Sequence, residues 1–201
     1  MKKILLFMIS FFVLTACQTK EEKAEKLAKK ALNGIIVNID TYEPIETTVD
    51  SAYAPLMTAE VFNQYPQLLS QIRELSLAQD KADVAKMKMS IYENPYSSYG
   101  KQQYESAKEE YEMYSRINSE LGEKIQAFSQ KIEQYAKEEP VFNGYRVIHK
   151  CRYVDKEGNK TIGSFLFLMN EDLTEVESIL DLQDEVMQSL FNAYGMMGTE
   201  E

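Results

Sequence analysis

His149 is the only histidine in the chain, and Cys151 stands two residues after it. On a strand, residues two apart share a face, so an imidazole and a thiol come side by side, as a thiolate–imidazole pair or half of a zinc site requires. Any Ser-His-Asp, Cys-His or histidine-based metal chemistry must run through His149. With two cysteines in all, no second histidine or third cysteine completes a common zinc site. Tyr145, Val147 and Tyr153 follow the same alternation, so the simpler expectation is a packed core face. Carboxylates are plentiful but strung out. Glu105, Glu109, Glu110, Glu112, Glu120, Glu123 and Glu133 fall beside or opposite an apolar stripe, the pattern of a solvated helix face. Asp155 to Asn159 alternates oxygen-bearing side chains but lacks the length and remaining ligands of a calcium loop. No glycine-rich phosphate loop, nucleophile elbow or zinc-protease helix occurs. No catalytic residue, metal ligand or cofactor is assigned on this basis. The alternative is a hydrolase working with paired carboxylates, which needs two Asp or Glu to converge in a cleft.

Four tyrosines, Tyr92, Tyr96, Tyr99 and Tyr104, fall within thirteen residues around the breaker from Asn94 to Gly100. Tyrosine buries a large area at little cost in entropy and stacks on sugars or protein surfaces, so the four make a candidate contact tip for a protein or glycan partner. The competing arrangement has them pack on one another to close the turn.

The elements that would position these groups follow from periodicity. Residues 21–33 form an amphipathic helix stopped by Asn33-Gly34, and residues 35–39 are either a strand or a continuation of that helix. Tyr42 to Tyr53 is extended, with Ile45, Thr47 and Val49 alternating. From about Thr58 to Tyr92 apolar residues recur every three or four positions, with Pro66 either in the first turn or at a kink. From Tyr104 to Tyr135 nine apolar steps cover 31 residues, the coiled-coil period. Two such arms joined by a short turn predict an antiparallel helical hairpin. Then the period changes to alternation: strands over residues 145–153, 161–169 and 175–180, and a last helix from Leu182 to Tyr194 carrying Leu190, Phe191 and Tyr194 on its apolar face. The expected fold class is α+β, a long helical hairpin inserted before a small antiparallel β-meander, with short helices at the N- and C-terminal ends.

At 201 residues, with 44 % hydrophobic and 27 % charged side chains, the chain has the composition of a folded protein and room for one ordinary domain. Its net charge of −10 argues against nucleic acid, which needs a basic face.

Lys2 and Lys3 precede an eleven-residue run from Ile4 to Leu14 broken only by Ser10, about half of the roughly 20 residues a membrane-crossing helix needs, so the run reads as a secretion signal. Leu14-Thr15-Ala16-Cys17 resembles the lipobox of bacterial lipoproteins, which implies cleavage before Cys17 and diacylglycerol on its sulfur. Two or more acyl chains anchor stably where one is marginal. Gln18, where Asp often marks inner-membrane retention, implies the outer membrane. Lys20-Glu21-Glu22 resembles the surface-export signal of bacteroidal lipoproteins, or else is a solvated tether opening a helix. The expected organisation is a signal peptide at 1–16, a lipidated tether at 17–23, and one α+β domain at 24–201 with its hairpin at 58–139. With Cys17 acylated, Cys151 is left without an intramolecular disulfide partner.

The order of lipobox, short helix, Tyr42-Glu43-Pro44-Ile45, Val49-Asp50-Ser51-Ala52-Tyr53, helical insert and a Tyr145 to Arg152 strand resembles a group of small bacteroidal lipoproteins to which no activity is attached. Asp50-Ser51-Ala52 also matches the short sequon at which bacteroidal secreted proteins are O-glycosylated, making Ser51 a candidate modification site; otherwise it is a turn-forming pair ending a strand. The expectation is a lipid-anchored, non-enzymatic envelope protein at the outer membrane, on its periplasmic face or at the cell surface. It would be held to the membrane through Cys17 and would bind a protein or glycan.

Overall fold

The computed structural model describes residues 18–94 and 96–193, with side chains for all of these except 190–193. The segment 1–16 expected to be a signal peptide, Cys17, Tyr194 and the side chains of Leu190 and Phe191 therefore lie outside what is described here. The chain divides into two compact units, one made of the residues up to 63 together with those from 139 onward, the other of residues 64–138.

In the first unit, α1 (Lys20–Leu32) starts one residue before the expected Glu21, so its first four residues belong to the stretch read as a tether at 17–23. The cause is local: the Thr19 side chain accepts from the Glu22 amide at 3.2 Å, Glu21 and Glu22 favour the positive end of the helix, and Lys29 and Lys30 favour the other. Ala24, Ala28 and Leu32 form a buried stripe of mostly small side chains, which lets the helix lie close to the sheet. Residues 35–37 are neither strand nor helix. They turn, with Ile36 buried beside α1 and Ile35 and Val37 exposed.

Four strands follow, β1 (Asn38–Ala54), β2 (Val141–Val154), β3 (Lys160–Met169) and β4 (Val176–Asp181), paired antiparallel in that order. The meander therefore gains a first strand of 17 residues that the alternation beyond residue 140 does not announce. The β1–β2 register puts Val49 beside Val147, β2–β3 puts Val147 beside Phe167, and β3–β4 puts Phe167 beside Ile179, so one apolar row crosses all four strands. That row belongs to the core cluster under α1. β1 lies at the sheet edge, where Pro44, which has no amide hydrogen to give, coincides with a bulge. Gly144 has φ 124°, and a Cβ there would run into the Met169 carbonyl oxygen, so the site is closed to other residues.

The opposite face carries Arg146, Ile148, Lys150 and Arg152, as alternation requires, but it is not simply solvated. Leu166, Leu168 and Leu180 are buried there, as is Arg146, whose guanidinium donates to Asp50 at 2.8 Å. Lys150–Glu46 at 2.8 Å and Arg152–Glu43 at 3.2 Å extend a ladder with its bases on β2 and its acids on β1. The exposed Glu46 carboxyl is held below its ordinary range by the hydrogen bond and charge of Lys150. A separate short helix, α2 (Ala59–Phe62), packs against β4, and Asn63 just after it accepts from the Ser178 hydroxyl at 3.0 Å.

In the second unit, α3 (Tyr65–Ile91) and α4 (Ser98–Tyr135) make the hairpin, shorter than 58–139 at its start because α2 is a helix of its own, and at its finish because α4 is capped at Ala136 and residues 136–138 turn. Pro66 sits in the first turn of α3, where its missing amide hydrogen has no intrahelical use. Three contacts show the arms running antiparallel: Tyr65 with Phe128 at 5.5 Å between rings, Asn118 donating to Gln79 at 3.3 Å, and Lys88 donating to Glu110 at 3.1 Å. Leu68 is buried, and Ile72 and Leu75 are half-buried, as are Ile117, Ile125 and Phe128 along α4; Leu121 and Ile132 are buried. Ala78, Ala82 and Ala85 continue the inner stripe toward the turn. The Ser97 side chain accepts from the Gly100 amide at 3.0 Å and starts α4.

In the first unit the chain closes with α5 (Glu185–Ala193), which begins three residues after Leu182 because the Asp184 carboxylate accepts from the amides of Val186 and Met187.

Candidate functional site

His149 and Cys151 do share a strand face, and both are fully buried. The His149 ring is held at each nitrogen by a hydroxyl: Nε2 lies 2.8 Å from the Tyr42 oxygen and Nδ1 lies 2.9 Å from Thr47 Oγ1. Hydroxyls both donate and accept, so either neutral tautomer is satisfied, while an imidazolium could donate to both oxygens but would carry its charge away from water among hydrocarbon. Tyr42 also stacks on the ring at 5.8 Å, and Phe167 meets it edge-on at 6.4 Å. Burial drives the imidazole pKa down to about 4 and the Cys151 thiol up to about 11. The Tyr42 phenol is raised as well, first by burial and then by the charges that Cys151 and Glu25 would carry. At neutral pH the pair is therefore a protonated thiol and a neutral imidazole, and each ring nitrogen already faces a hydroxyl. Among the described residues no three His, Cys, Asp or Glu side chains gather closely enough to hold a metal. Tyr42 and Thr47 were not legible as partners of His149, since they are 107 and 102 residues away in the chain.

The α4 carboxylates stand as expected. Glu105, Glu109, Glu112, Glu120, Glu123 and Glu133 are exposed, while Glu110 is half-buried in its pair with Lys88. From Glu105 to Glu133 they stretch along roughly 40 Å of one helix.

The four tyrosines divide. Tyr92 and Tyr104 are half-buried at the base of the turn, whereas Tyr96 is fully exposed and Tyr99 is 63 % exposed. Mutual packing thus accounts for at most one pair of the set. Beside them three aliphatic side chains on the outer surface of α3 face solvent: Val84 at 52 %, Met87 at 65 % and Ile91 at 69 %. With Leu77, also exposed, they recur at intervals of seven, three and four residues. Successive 100° steps put this stripe on the side of α3 opposite Ala78, Ala82 and Ala85. The sequence held the signal in the Leu77, Val84, Ile91 spacing, which the stronger inner stripe obscured.

Ser51 is exposed, in register with Tyr145, and the strand continues to Ala54. It does not end a strand in a turn: Asp50 before it is engaged by Arg146, and Ser51 itself is presented on an ordered edge strand. No described helix is long and apolar enough to cross a membrane. No protein-family profile, no curated protein and no solved structure matches this chain.

Proposed function

We propose that the protein is a lipid-anchored component of the bacterial envelope, tethered at the outer membrane through Cys17, and that it acts by contact and not by catalysis. Its sequence resemblance to small bacteroidal lipoproteins supports the location. The contact surface is the hairpin turn, and the tyrosines taken alone suit a protein or a glycan. The carrying observation is the opposite fate of the two reactive-looking regions: His149 and Cys151 are sealed in their uncharged forms, while Tyr96 and Tyr99 project into solvent. Large rigid side chains exposed at the end of a long hairpin are an expense in solvation that a partner surface relieves.

The test places a photo-crosslinking residue at Tyr96 in living cells, with a second at Tyr135 at the far end of α4 as control. A discrete adduct from position 96, absent from 135 and lost on Tyr99→Ala, supports the reading; equal or no adducts from both positions would remove the turn as the contact surface. Cys17→Ser tests the anchor. Lipid attachment should be abolished and the protein retained as a precursor or released from the membrane, and full membrane retention with a cleaved N-terminus contradicts it.

A further inference from the structure

We infer that the end of the first unit beside the start of α1 rests on a zwitterionic phospholipid surface, the one into which Cys17 is anchored. The inference deepens the reading of Cys17 as the lipidated residue and rests on it. Only Gln18 and Thr19 separate Cys17 from α1, so the Cys17 Cα lies within about 11 Å of the Lys20 Cα. The helix is not free to peel away and lengthen that connection. Thr19 caps its first turn, and Ala24, Ala28 and Leu32 are fully buried in the core. A lipid on Cys17 therefore brings the membrane to this end of the unit, whatever else the chain binds.

The side chains at this end suit an interface. The Lys20 ammonium lies 4.6 Å from the centre of the Tyr145 ring, above its face. Tyr145, half-buried at the margin of the core, meets the Phe142 ring edge-on at 5.5 Å, and Phe142 meets Tyr53 edge-on at 6.2 Å. The strip runs outward from the core: Phe142 is 38 % exposed, Tyr53 46 % and the neighbouring Val141 63 %. Such rings settle at headgroup depth, and an anchor already inserted makes even a weak contact intramolecular.

Charge decides which lipid. Residues 20–23 carry two lysines and two glutamates and are neutral together. Glu139 precedes Val141 by two residues, and Glu171, Asp172 and Glu175 belong to the turn between β3 and β4, which lies against Gly144; all four are exposed. This end of the sheet is acidic, so an anionic bilayer would repel it. A zwitterionic headgroup instead presents its ammonium outermost, a partner for carboxylates and for the faces of aromatic rings, as the Lys20 ammonium over Tyr145 illustrates.

The chain has no tryptophan, so a single indole reports without background. The mature acylated chain carrying Phe142→Trp is reconstituted into phosphatidylcholine vesicles, plain or brominated on the acyl chains. Tyr53→Trp is a second reporter, and Ile162→Trp, at the other end of the β2–β3 pair about 30 Å away, is the control. Mass spectrometry of the N-terminal peptide establishes whether Cys17 carries its acyl chains. Expected are blue-shifted emission and bromine quenching at positions 142 and 53, none at 162, and weaker quenching when phosphatidylglycerol replaces part of the phosphatidylcholine. Val141→Asp should lower the ratio of docked to lifted protein roughly tenfold, the worth of one buried valine side chain, with circular dichroism unchanged.

An acylated protein whose indoles at 142 and 53 stay in water, or are quenched no more than the one at 162, overturns the inference and leaves the anchor standing. Docking that strengthens with phosphatidylglycerol does the same. A Cys17 without acyl chains removes the anchor, and the inference with it.

Discussion

Tyr42 and Tyr96 carry the same phenol into opposite surroundings. Tyr42 lies beneath the sheet, 8 % exposed, its hydroxyl on His149 and its ring stacked on the imidazole, whereas Tyr96 at the hairpin turn is open to solvent on every side. The region around His149 contains the side chains a chemist would first suspect, and packing has buried them: His149 and Cys151 are fully buried, and each ring nitrogen faces a hydroxyl. At the turn, by contrast, Tyr96 and Tyr99 are exposed, as are Met87 and Ile91 in the last turns of α3. In this protein, reactivity of type and availability for contact are found in different places, and only availability suits function by binding.

Phe167 should separate the two regions most sharply. It stands at the middle of the four-strand row, fully buried, so Phe167→Ala should cost about 3–5 kcal/mol and threaten folding outright. Urea denaturation followed by circular dichroism measures it; a loss below 1 kcal/mol would mean the row is not the core.

The next effect is a pH dependence. The imidazole of His149 titrates near 4 when folded against 6.5 when unfolded, so below pH 6.5 the unfolded chain takes up the proton first. The stability His149 contributes by being neutral is complete above pH 6.5 and lost as the pH falls toward 4, up to about 3 kcal/mol. Urea midpoints at pH 7.5 and 4.5 should differ accordingly, and the difference should shrink in His149→Gln. An imidazole resonance that titrates at its ordinary value in the folded protein would show the ring is accessible and would bring the two regions closer in kind.

Cys151→Ala should cost roughly 1 kcal/mol, the price of one small buried side chain, and leave any contact by the turn intact. The wild-type thiol, buried and with its pKa raised to about 11, should react with alkylating reagents at neutral pH only as fast as the protein unfolds. Rapid native-state alkylation would return Cys151 to the list of reactive groups. The smallest effect belongs to Tyr96→Ala, which should move stability by no more than about 0.5 kcal/mol in either direction while removing the contact. A large loss of stability there would show that Tyr96 packs within the protein.

The α4 stripe was readable because its information is local: residues three and four apart meet on one helix whatever the remainder of the chain does. The β2 and β3 alternation was readable for the same reason. The strand identity of Asn38 to Ala54 was only half readable, since Pro44 and the bulges break its period, and its neighbour β2 follows an insertion of more than 80 residues. The separation of Ala59–Phe62 from the hairpin rests on the Thr58 side chain capping one helix, with Asn63 and Gln64 between it and the next; a continuous apolar period conceals that break.

Local pattern alone determined the helical hairpin, the shared face of His149 and Cys151, and the exposed chain of acids on α4, because each depends on neighbours within one or two turns or along one strand. Tertiary structure alone decided which of those side chains are buried and which are exposed. The imidazole is silent because β1, arriving from a hundred residues away, brings the Thr47 hydroxyl to one nitrogen while Tyr42 closes the other. The Met87 and Ile91 side chains are exposed because α3 turns its alanine face to α4 and these two lie on another side of the helix. Burial is a property of the assembled surfaces, and the same residue types acquire opposite roles according to which side of an element finds a neighbour.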